Sequence, residues 1–223
     1  EKNKELESVN LEIISVNKEI EQKNNDLNSS IRYALTIQKA SFPSLQELYS
    51  ELPNSFIYHL PRDIVSGDFY WYRKTNDKFV IACADCTGHG VPGAMISVVC
   101  NNALNRSVRE YGVTEPGKIL DKTREIVKEE FEKSGKEVND GMDIALCSLE
   151  GNQLEYAGAR IPIWIIRDGE IIEIKGDRQP IGKYSFGKPF SQQEFNLIPN
   201  DIIYLYTDGF ADQFGGERGK KYK

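Results

Sequence analysis

The chain has 223 residues, 39% of them hydrophobic, which suits one domain of about 150–200 residues plus an appendage. Its formal net charge of −6 and pI near 5.2 argue against a general nucleic-acid binder, which carries a basic face. No apolar run approaches the roughly 18 residues that a membrane-spanning helix needs, and no signal peptide is visible. We therefore predict a cytoplasmic location. Because the chain starts inside a predicted helix, we expect it to be a fragment of a longer protein. Whether an upstream sensor anchors that protein to a membrane is left open.

Residues 1–40 are predicted to form one long helix with a narrow apolar seam. The seam recurs with seven-residue spacing and consists of Leu6, Val9, Ile13, Val16, Ile20 and Leu27. Such spacing favours a left-handed, two-stranded coiled coil. The alternative is a solvated helix packed on its own domain. We predict a dimerising coiled-coil or linker helix over 1–40 and a second domain over 41–223.

The second domain is predicted to alternate between strands and helices. A first strand is expected over 56–60, and a hairpin follows it. Two helices come next: Pro92 suits the first turn of one, which turns Met95 inward, and the other follows Pro116. Short strands are then predicted over 142–149, 153–158, 162–167, 170–175, 193–198 and 202–207. Helices placed between hairpins indicate an α+β fold of antiparallel sheets flanked by antiparallel helices.

The hairpin within residues 66–93 carries the strongest candidate site. Pairing its two strands around the turn at 75–77 places Asp68 and Asp85 at the same end. Two carboxylates brought together there repel each other unless a cation or a proton lies between them. Asp208 likewise ends an apolar run and precedes a glycine. Three strand-end aspartates predict an all-oxygen site, which favours Mg²⁺ or Mn²⁺ and, more weakly, Ca²⁺.

Two other motifs are interpreted structurally. Residues 88–93 match GxGxxG, but the preceding strand belongs to a hairpin and no parallel second strand follows, so a dinucleotide site is rejected. These glycines instead let the backbone bend tightly around an ion or a phosphate. Cys83 and Cys86 have CxxC spacing without a second pair, which predicts reduced thiols rather than a zinc site.

Five short motifs, taken together and in order, resemble a known family. They are Val-Ser-Gly-Asp-Phe-Tyr at 65–70, Ala-Asp-Cys-Thr-Gly-His-Gly at 84–90, Tyr-Ala-Gly-Ala at 156–159, Gln-Pro-Ile-Gly at 179–182 and Tyr-Thr-Asp-Gly-Phe at 206–210. The family is that of the metal-dependent serine/threonine protein phosphatases of type 2C, and the sequence is most similar to its bacterial SpoIIE-like branch. The resemblance implies an αββα sandwich with two Mn²⁺ or Mg²⁺ ions at one edge.

The resemblance also implies roles for individual residues. By motif position, Asp68, Asp85 and Asp208 would be metal ligands, and the backbone carbonyl of Cys86 would be a fourth contact. Asp143 is either an accessory metal or substrate-side group or a structural residue at the start of a strand. A further family aspartate lies on a last strand. This sequence stops at position 223 without such a strand, so metal binding and activity of the chain as it stands are left open.

The implied function is hydrolysis of phosphoserine or phosphothreonine in a bacterial signalling protein by a metal-activated water. Asp85 would bridge the ions, and Arg62 is a candidate phosphate-binding residue. His89 either donates a proton to the leaving alkoxide or is structural. The expected partner is a phosphorylated protein, such as an anti-sigma-factor antagonist, and the N-terminal helix would regulate activity. The alternative is a catalytically silent, dimeric signalling module that uses the same fold to bind a partner.

Overall fold

The computed structural model describes residues 2–75, 78–133, 140–182, 187–209, 211–212, 214–215 and 220–221. The helices within these residues are α1 (Lys2–Ser41), α2 (Leu45–Glu51), α3 (Val91–Arg109) and α4 (Pro116–Glu132). The strands are β1 (Phe69–Thr75), β2 (Lys78–Cys86), β3 (Gly141–Glu150), β4 (Gln153–Ala159), β5 (Ile163–Arg167), β6 (Glu170–Ile174), β7 (Ile181–Gly182), β8 (Gln193–Asn196), β9 (Ile202–Leu205), β10 (Phe214–Gly215) and β11 (Lys220–Lys221).

The strands form antiparallel sheets, as the sequence predicts. The main sheet has the order β1-β2-β3-β4-β8, and β7 pairs with the first two residues of β3. A second sheet has the order β6-β5-β9, and β10 pairs with β11. Each of the six strands predicted after residue 141 is present. The hairpin of β1 and β2 is also present, with its 76–77 turn lying outside the described residues.

The two faces of the main sheet bury different partners. Along β3, Ile144 and Leu146 join the core under α3 and α4, whereas Ala145 and Cys147 join the core shared with the second sheet. This alternation follows from the two-residue period of side chains along a strand. The described residues therefore stack as a helix layer, a main sheet and a second sheet, which confirms the predicted α+β class.

The two middle helices pack on the main sheet and on each other. The helix predicted after Pro116 is present as α4, and its Ile119 and Leu120 are completely buried. The predicted inward orientation of Met95 is wrong, because its side chain is 59% exposed. The first turn of α3 buries Gly93 and Ala94 instead, and this turns the following residue toward solvent.

The predicted strand over 56–60 is absent. Phe56, Tyr58 and Leu60 alternate as in a strand, but they are 75%, 77% and 76% exposed. A strand also needs a neighbour to complete its backbone hydrogen bonds. No strand within the described ranges pairs with this segment, and one of its few bonds is from the Ile57 amide to the Tyr49 hydroxyl at 3.1 Å.

Helix α1 confirms the predicted long N-terminal helix, and its seam residues are all exposed. Gln38 is its one buried residue within the described part of the chain. None of the described helices combines the length and apolarity needed to cross a membrane. All four cysteines are free thiols, as predicted.

Candidate active site

The hairpin places two of the predicted carboxylates side by side. Phe69 lies opposite Ala84 in the ladder of β1 and β2, so the next residue outward on each strand is Asp68 and Asp85 respectively. The charge of Asp68 and a side-chain hydrogen bond with it both raise the pKa of the Asp85 carboxyl. The predicted pairing at one end of the hairpin is thus present in the structure.

The loop after β9 adds a third carboxylate from a distant part of the sequence. The Thr207 hydroxyl donates a hydrogen bond to Asp68 Oδ2 at 2.7 Å, which fixes the start of this loop against the hairpin. The neighbouring Asp208 is close enough to act on the charge of Asp85. Gly209 is also near, since a Cβ built there would lie 3.6 Å from Asp68 Oδ2.

A fourth carboxylate belongs to the neighbouring strand. Asp143 lies directly opposite Asp85 in the ladder of β2 and β3. Its Oδ1 is 3.6 Å from Nη1 of Arg160, which directly follows β4. Burial raises the pKa of the Asp143 carboxyl, and the Arg160 guanidinium opposes that shift.

The concentration of negative charge changes the acidity of the central residue. The pKa of Asp85 is raised to about 7, first by burial and then by the charges of Asp68 and Asp208. A carboxyl group among other carboxylates retains its proton because a second negative charge in a partly buried site is unfavourable. A divalent cation would remove the same repulsion.

The chemistry of the donors fits a hard divalent cation. Asp68, Asp85 and Asp208 offer only oxygen, the ligand atom that Mg²⁺ and Mn²⁺ prefer. Within the described ranges, however, no three Asp, Glu, His or Cys side chains lie close enough together to hold an ion. The Asp68–Asp85 pair is therefore the assembled part of the candidate centre.

Cys86 can take part only through its backbone. Its side chain is 3% exposed, and burial followed by a hydrogen bond with Cys100 raises the thiol pKa well above its ordinary value. Its carbonyl oxygen faces Gly67, where an added Cβ would lie 3.2 Å away from it. The carbonyl contact stays a prediction, and the buried thiol with its raised pKa does not suit a thiolate ligand.

The glycine-rich loop forms one wall of the site. Gly88 and Gly90 have positive φ angles of 89° and 59°, which side chains disfavour. A Cβ at Gly93 would lie 2.4 Å from the Gly88 carbonyl oxygen. The spacing that mimics a nucleotide motif is therefore explained by a loop that folds back onto the first turn of α3.

A cleft of about 520 Å³ opens beside this loop. Its lining includes Asp85, Cys86, Asp143 and Arg160, together with backbone of the glycine loop and of β7. Asp208 acts on this group through charge, since it raises the pKa of both Asp85 and Asp143. The cleft is thus acidic on one side and carries an arginine on the other.

Four of the predicted residues lie outside the lining of this cleft, namely Asp68, Asp208, His89 and Arg62. His89 is on the loop surface, with its side chain 83% exposed and its Nδ1 3.8 Å from Asp63 Oδ2. Arg62 is exposed on the preceding segment. Asp85, Asp143 and Cys86 therefore line the cleft, and Asp68 and Asp208 act on the charge of Asp85 without lining it. His89 and Arg62 lie at the periphery.

Sequence reasoning misses three residues around the site. Thr207 directly precedes the predicted ligand Asp208 and belongs to the same motif, so the sequence contained a signal for it. Arg160 follows a family-like motif, but its backbone conformation has no sequence signal. Gln38 lies on α1, whose narrow apolar seam predicts a solvated or partner-bound helix. The burial of a polar residue there could not be inferred from the sequence.

Comparisons with known proteins agree with this geometry. The family model described as Stage II sporulation protein E (SpoIIE) matches residues 75–222. Phosphoserine phosphatase RsbU of Bacillus subtilis (strain 168) is 24% identical over 156 residues, which cover 69% of this chain and 45% of RsbU. The chain thus spans about half the length of this curated relative.

Solved structures share the fold. The SiaA-PP2C domain of Pseudomonas aeruginosa matches with a TM-score of 0.78 and 35% identity, covering 89% of this chain and 78% of that one. The structure of RsbX in complex with magnesium matches with a TM-score of 0.53 and 14% identity, covering 69% of this chain and 72% of that one. The second likeness concerns the fold alone.

Proposed function

Since the chain belongs to the SpoIIE family of PP2C-type phosphatase domains, we propose that it is a metal-dependent phosphoserine/phosphothreonine protein phosphatase of bacterial signalling. The resemblance predicted from the five motifs is confirmed by that family match. The relative RsbU is a phosphoserine phosphatase, which supports the proposed activity. The observation that carries the proposal is the pair of carboxylates Asp68 and Asp85 at one end of the hairpin, with Asp208 close enough for its charge to raise the pKa of Asp85.

Each residue of the cluster has a task in this proposal. Asp85 stands at the centre, where its raised pKa reports how strongly the site favours a positive charge. Thr207 holds Asp68 by its hydrogen bond and so orients that carboxylate. When bound, Mn²⁺ or Mg²⁺ would lower the pKa of a water and neutralise charge on the phosphoryl oxygens. The fold relative RsbX was solved with magnesium, which supports this choice of cofactor.

The peripheral residues keep alternative roles. His89 could protonate the leaving oxygen only from outside the cleft, because its ring is exposed there. Its contact with Asp63 supports the structural alternative equally. Arg62 remains a candidate for the phosphate at the cleft margin, and Asp143 remains either an accessory ligand or a structural residue.

The activity is tested by replacing the central carboxylate. We expect Asp85→Asn to abolish Mn²⁺-dependent hydrolysis of p-nitrophenyl phosphate by the full chain, because the cluster loses its central charge. Asp168→Asn is the matched control, since Asp168 is an exposed residue of the turn between β5 and β6 in the second sheet. The control should keep wild-type turnover and the same melting temperature. Undiminished turnover in Asp85→Asn would contradict the assignment.

A catalytically silent signalling module is the second candidate. It is favoured by the observation that no three ligand-type side chains within the described ranges are placed to hold an ion. Calorimetric titration of the chain with Mn²⁺ separates the two functions. Binding together with turnover supports the phosphatase, whereas neither binding nor turnover supports the silent module.

The substrate is proposed to be a phosphorylated regulatory protein, of the kind represented by an anti-sigma-factor antagonist. The stressosome, described as a modular bacterial signalling system, contains a protein of similar fold, which fits this setting. Four free thiols suit the reducing cytoplasm that we propose as its location. No nucleic-acid partner is proposed, because the net charge is −6.

The chain is proposed to act as a homodimer through α1. The seam residues Ile13 and Ile20 are 52% and 51% exposed, although isoleucine is normally buried. A second copy of the helix would cover them in a coiled coil. The boundary between this helix and the phosphatase domain is proposed at residues 40–41.

Gln38 connects the N-terminal helix by hydrogen bonds to the segment that precedes Asp68. Its Nε2 donates hydrogen bonds to the Ser66 carbonyl at 2.6 Å and to Ser97 Oγ at 2.9 Å. Its Oε1 accepts one from the Ser66 amide at 3.2 Å. One side chain of α1 therefore binds both backbone groups of a residue two positions before Asp68. These contacts support regulation in which a movement of α1 shifts that ligand.

A further inference from the structure

Arg160 holds an unusual backbone conformation beside the cleft. Its φ angle is +63°, in the left-handed region that residues with a Cβ seldom occupy. The surrounding structure imposes this angle, because the Arg160 amide donates to the Asp177 carbonyl at 2.7 Å, and Ala159 pairs with Asp177 as an isolated parallel bridge. Such residues cluster at functional sites, where the conformation aims a side chain.

The position of Arg160 joins two clefts. It lines the 520 Å³ cleft that contains Asp85 and Asp143, and also a neighbouring cleft of about 400 Å³ that contains Lys175 and Arg178. Among the described residues that line the first cleft, Arg160 is the one cation. An anion that enters next to the carboxylate cluster would therefore find its positive partner here.

The contact between Arg160 and Asp143 does not occupy the whole guanidinium. The distance of 3.6 Å is longer than that of a charge-assisted hydrogen bond, and the two side chains are 48% and 31% exposed. Partly exposed ion pairs of this kind contribute little to folding stability. The contact involves one nitrogen, Nη1, and Arg160 lines a cleft that is open to a ligand.

We propose that Arg160 binds the phosphoryl oxygens of the phosphoprotein substrate. The inference rests on the proposed phosphatase function and adds a residue to it. A guanidinium presents a planar fork of donors that matches two oxygens of a phosphate. Arg62, the candidate from the sequence, is exposed and outside the cleft lining, whereas Arg160 lies inside it.

The competing role for Arg160 is to neutralise Asp143. The two roles differ in what a substitution changes. If Arg160 only pairs with Asp143, its substitution changes the acidity and packing of that carboxyl. The same substitution then has no effect on phosphate affinity once Asp143 has been replaced by a neutral residue. A phosphate-binding residue affects the affinity for phosphate whether or not Asp143 is charged.

The test uses Arg160→Asn, because asparagine tolerates the left-handed conformation better than other residues with side chains and so should preserve the turn. Arg160→Lys keeps the charge without the fork. The matched control is Arg178→Asn, which removes the same charge from the neighbouring cleft alone. The measurements are steady-state kinetics with p-nitrophenyl phosphate in Mn²⁺, inhibition by inorganic phosphate, and calorimetric titration with inorganic phosphate.

We expect Arg160→Asn to raise the KM and the phosphate inhibition constant about ten- to hundredfold, the range for a lost hydrogen bond to a charged group. The value of kcat should change less, Arg160→Lys should fall between, and Arg178→Asn should resemble wild type. The same increase should appear when Arg160→Asn is added to Asp143→Asn. An unchanged KM and inhibition constant in Arg160→Asn, or an effect that disappears in the Asp143→Asn background, would overturn the proposal.

Failure of the phosphatase assignment gives a different result. A wild-type chain that hydrolyses nothing in Mn²⁺ contradicts the proposed function, and phosphate calorimetry still decides the role of Arg160. Phosphate binding that is lost in Arg160→Asn and kept in Arg178→Asn supports the role. Equal phosphate binding by wild type and Arg160→Asn, or no phosphate binding by wild type, rejects it.

Discussion

Helix α1 and the pair α3–α4 all carry apolar residues at helical spacing, but these residues differ in their exposure to solvent. In the pair, residues such as Leu104 and Leu120 are completely buried against the main sheet. In α1, Leu6 and Leu27 are 64% and 58% exposed. Periodicity therefore identifies which face of a helix will be covered, but it does not identify what covers that face.

The difference also concerns what keeps each helix folded. Most helical stability in proteins comes from packing of an apolar face, since an isolated helix is marginal in water. Helices α3 and α4 have that packing within the domain. Over most of its length α1 has only local support, such as the exposed ion pair of Glu19 and Lys23 at 2.7 Å. A partner for the seam would supply the missing packing.

The largest expected effect comes from opening the core. Leu120→Ala should lower the free energy of unfolding by about 2–5 kcal/mol, because it leaves a cavity under α4. Leu11→Ala, at a position that is 69% exposed in α1, should change it by no more than about 0.5 kcal/mol. Urea denaturation measures both. Similar losses in the two variants would contradict the contrast between these helices.

The next effect concerns the seam. Ile13→Asp should weaken dimerisation by about 1.5–3 kcal/mol per helix, the value of burying an isoleucine side chain. The neighbouring Ile14 lies off the seam and is similarly exposed, so Ile14→Asp is the control and should leave the dimer intact. Sedimentation equilibrium provides the association constants. A monomeric wild-type chain, or equal effects of the two variants, would remove the coiled coil from the proposal.

The smallest effect tests the one place where the described part of α1 behaves like a core helix. Gln38→Leu should cost about 1–3 kcal/mol, because it removes the buried hydrogen bonds that Gln38 makes to the Ser66 amide and carbonyl and to Ser97. It should also lower the affinity for Mn²⁺, since Ser66 lies next to the Asp68 loop. Gln22→Leu, on an exposed part of α1, is the control. Thermal melts and Mn²⁺ calorimetry would show an equal response in both variants if Gln38 had no special role.

Much of the fold and of the site could be predicted from the sequence. Two apolar runs on either side of a turn identify the hairpin, and pairing them places Asp68 next to Asp85 without further information. Asp208 is predicted because a carboxylate at a strand end before a flexible loop repeats the arrangement at Asp85. These features depend on local patterns, which a sequence displays directly.

The features that the sequence does not reveal depend on distant contacts. Residues 56–60 have a strand-like alternation, but pairing requires a neighbour that local sequence cannot supply. The inward placement of Met95 is wrong because the rotation of α3 is fixed by the glycine loop beneath its first turn. The left-handed φ angle of Arg160 is imposed by its hydrogen bond to Asp177, a residue that is distant in the sequence.

The contact between Gly93 and the Gly88 carbonyl has a consequence for how this protein can change over time. Any larger residue at position 93 would place its Cβ 2.4 Å from that oxygen and force the helix away from the loop. A substitution at this point would therefore disturb the loop and the start of α3 together. Room for a larger side chain exists at exposed positions, such as His89 on the loop or the solvent-facing length of α1.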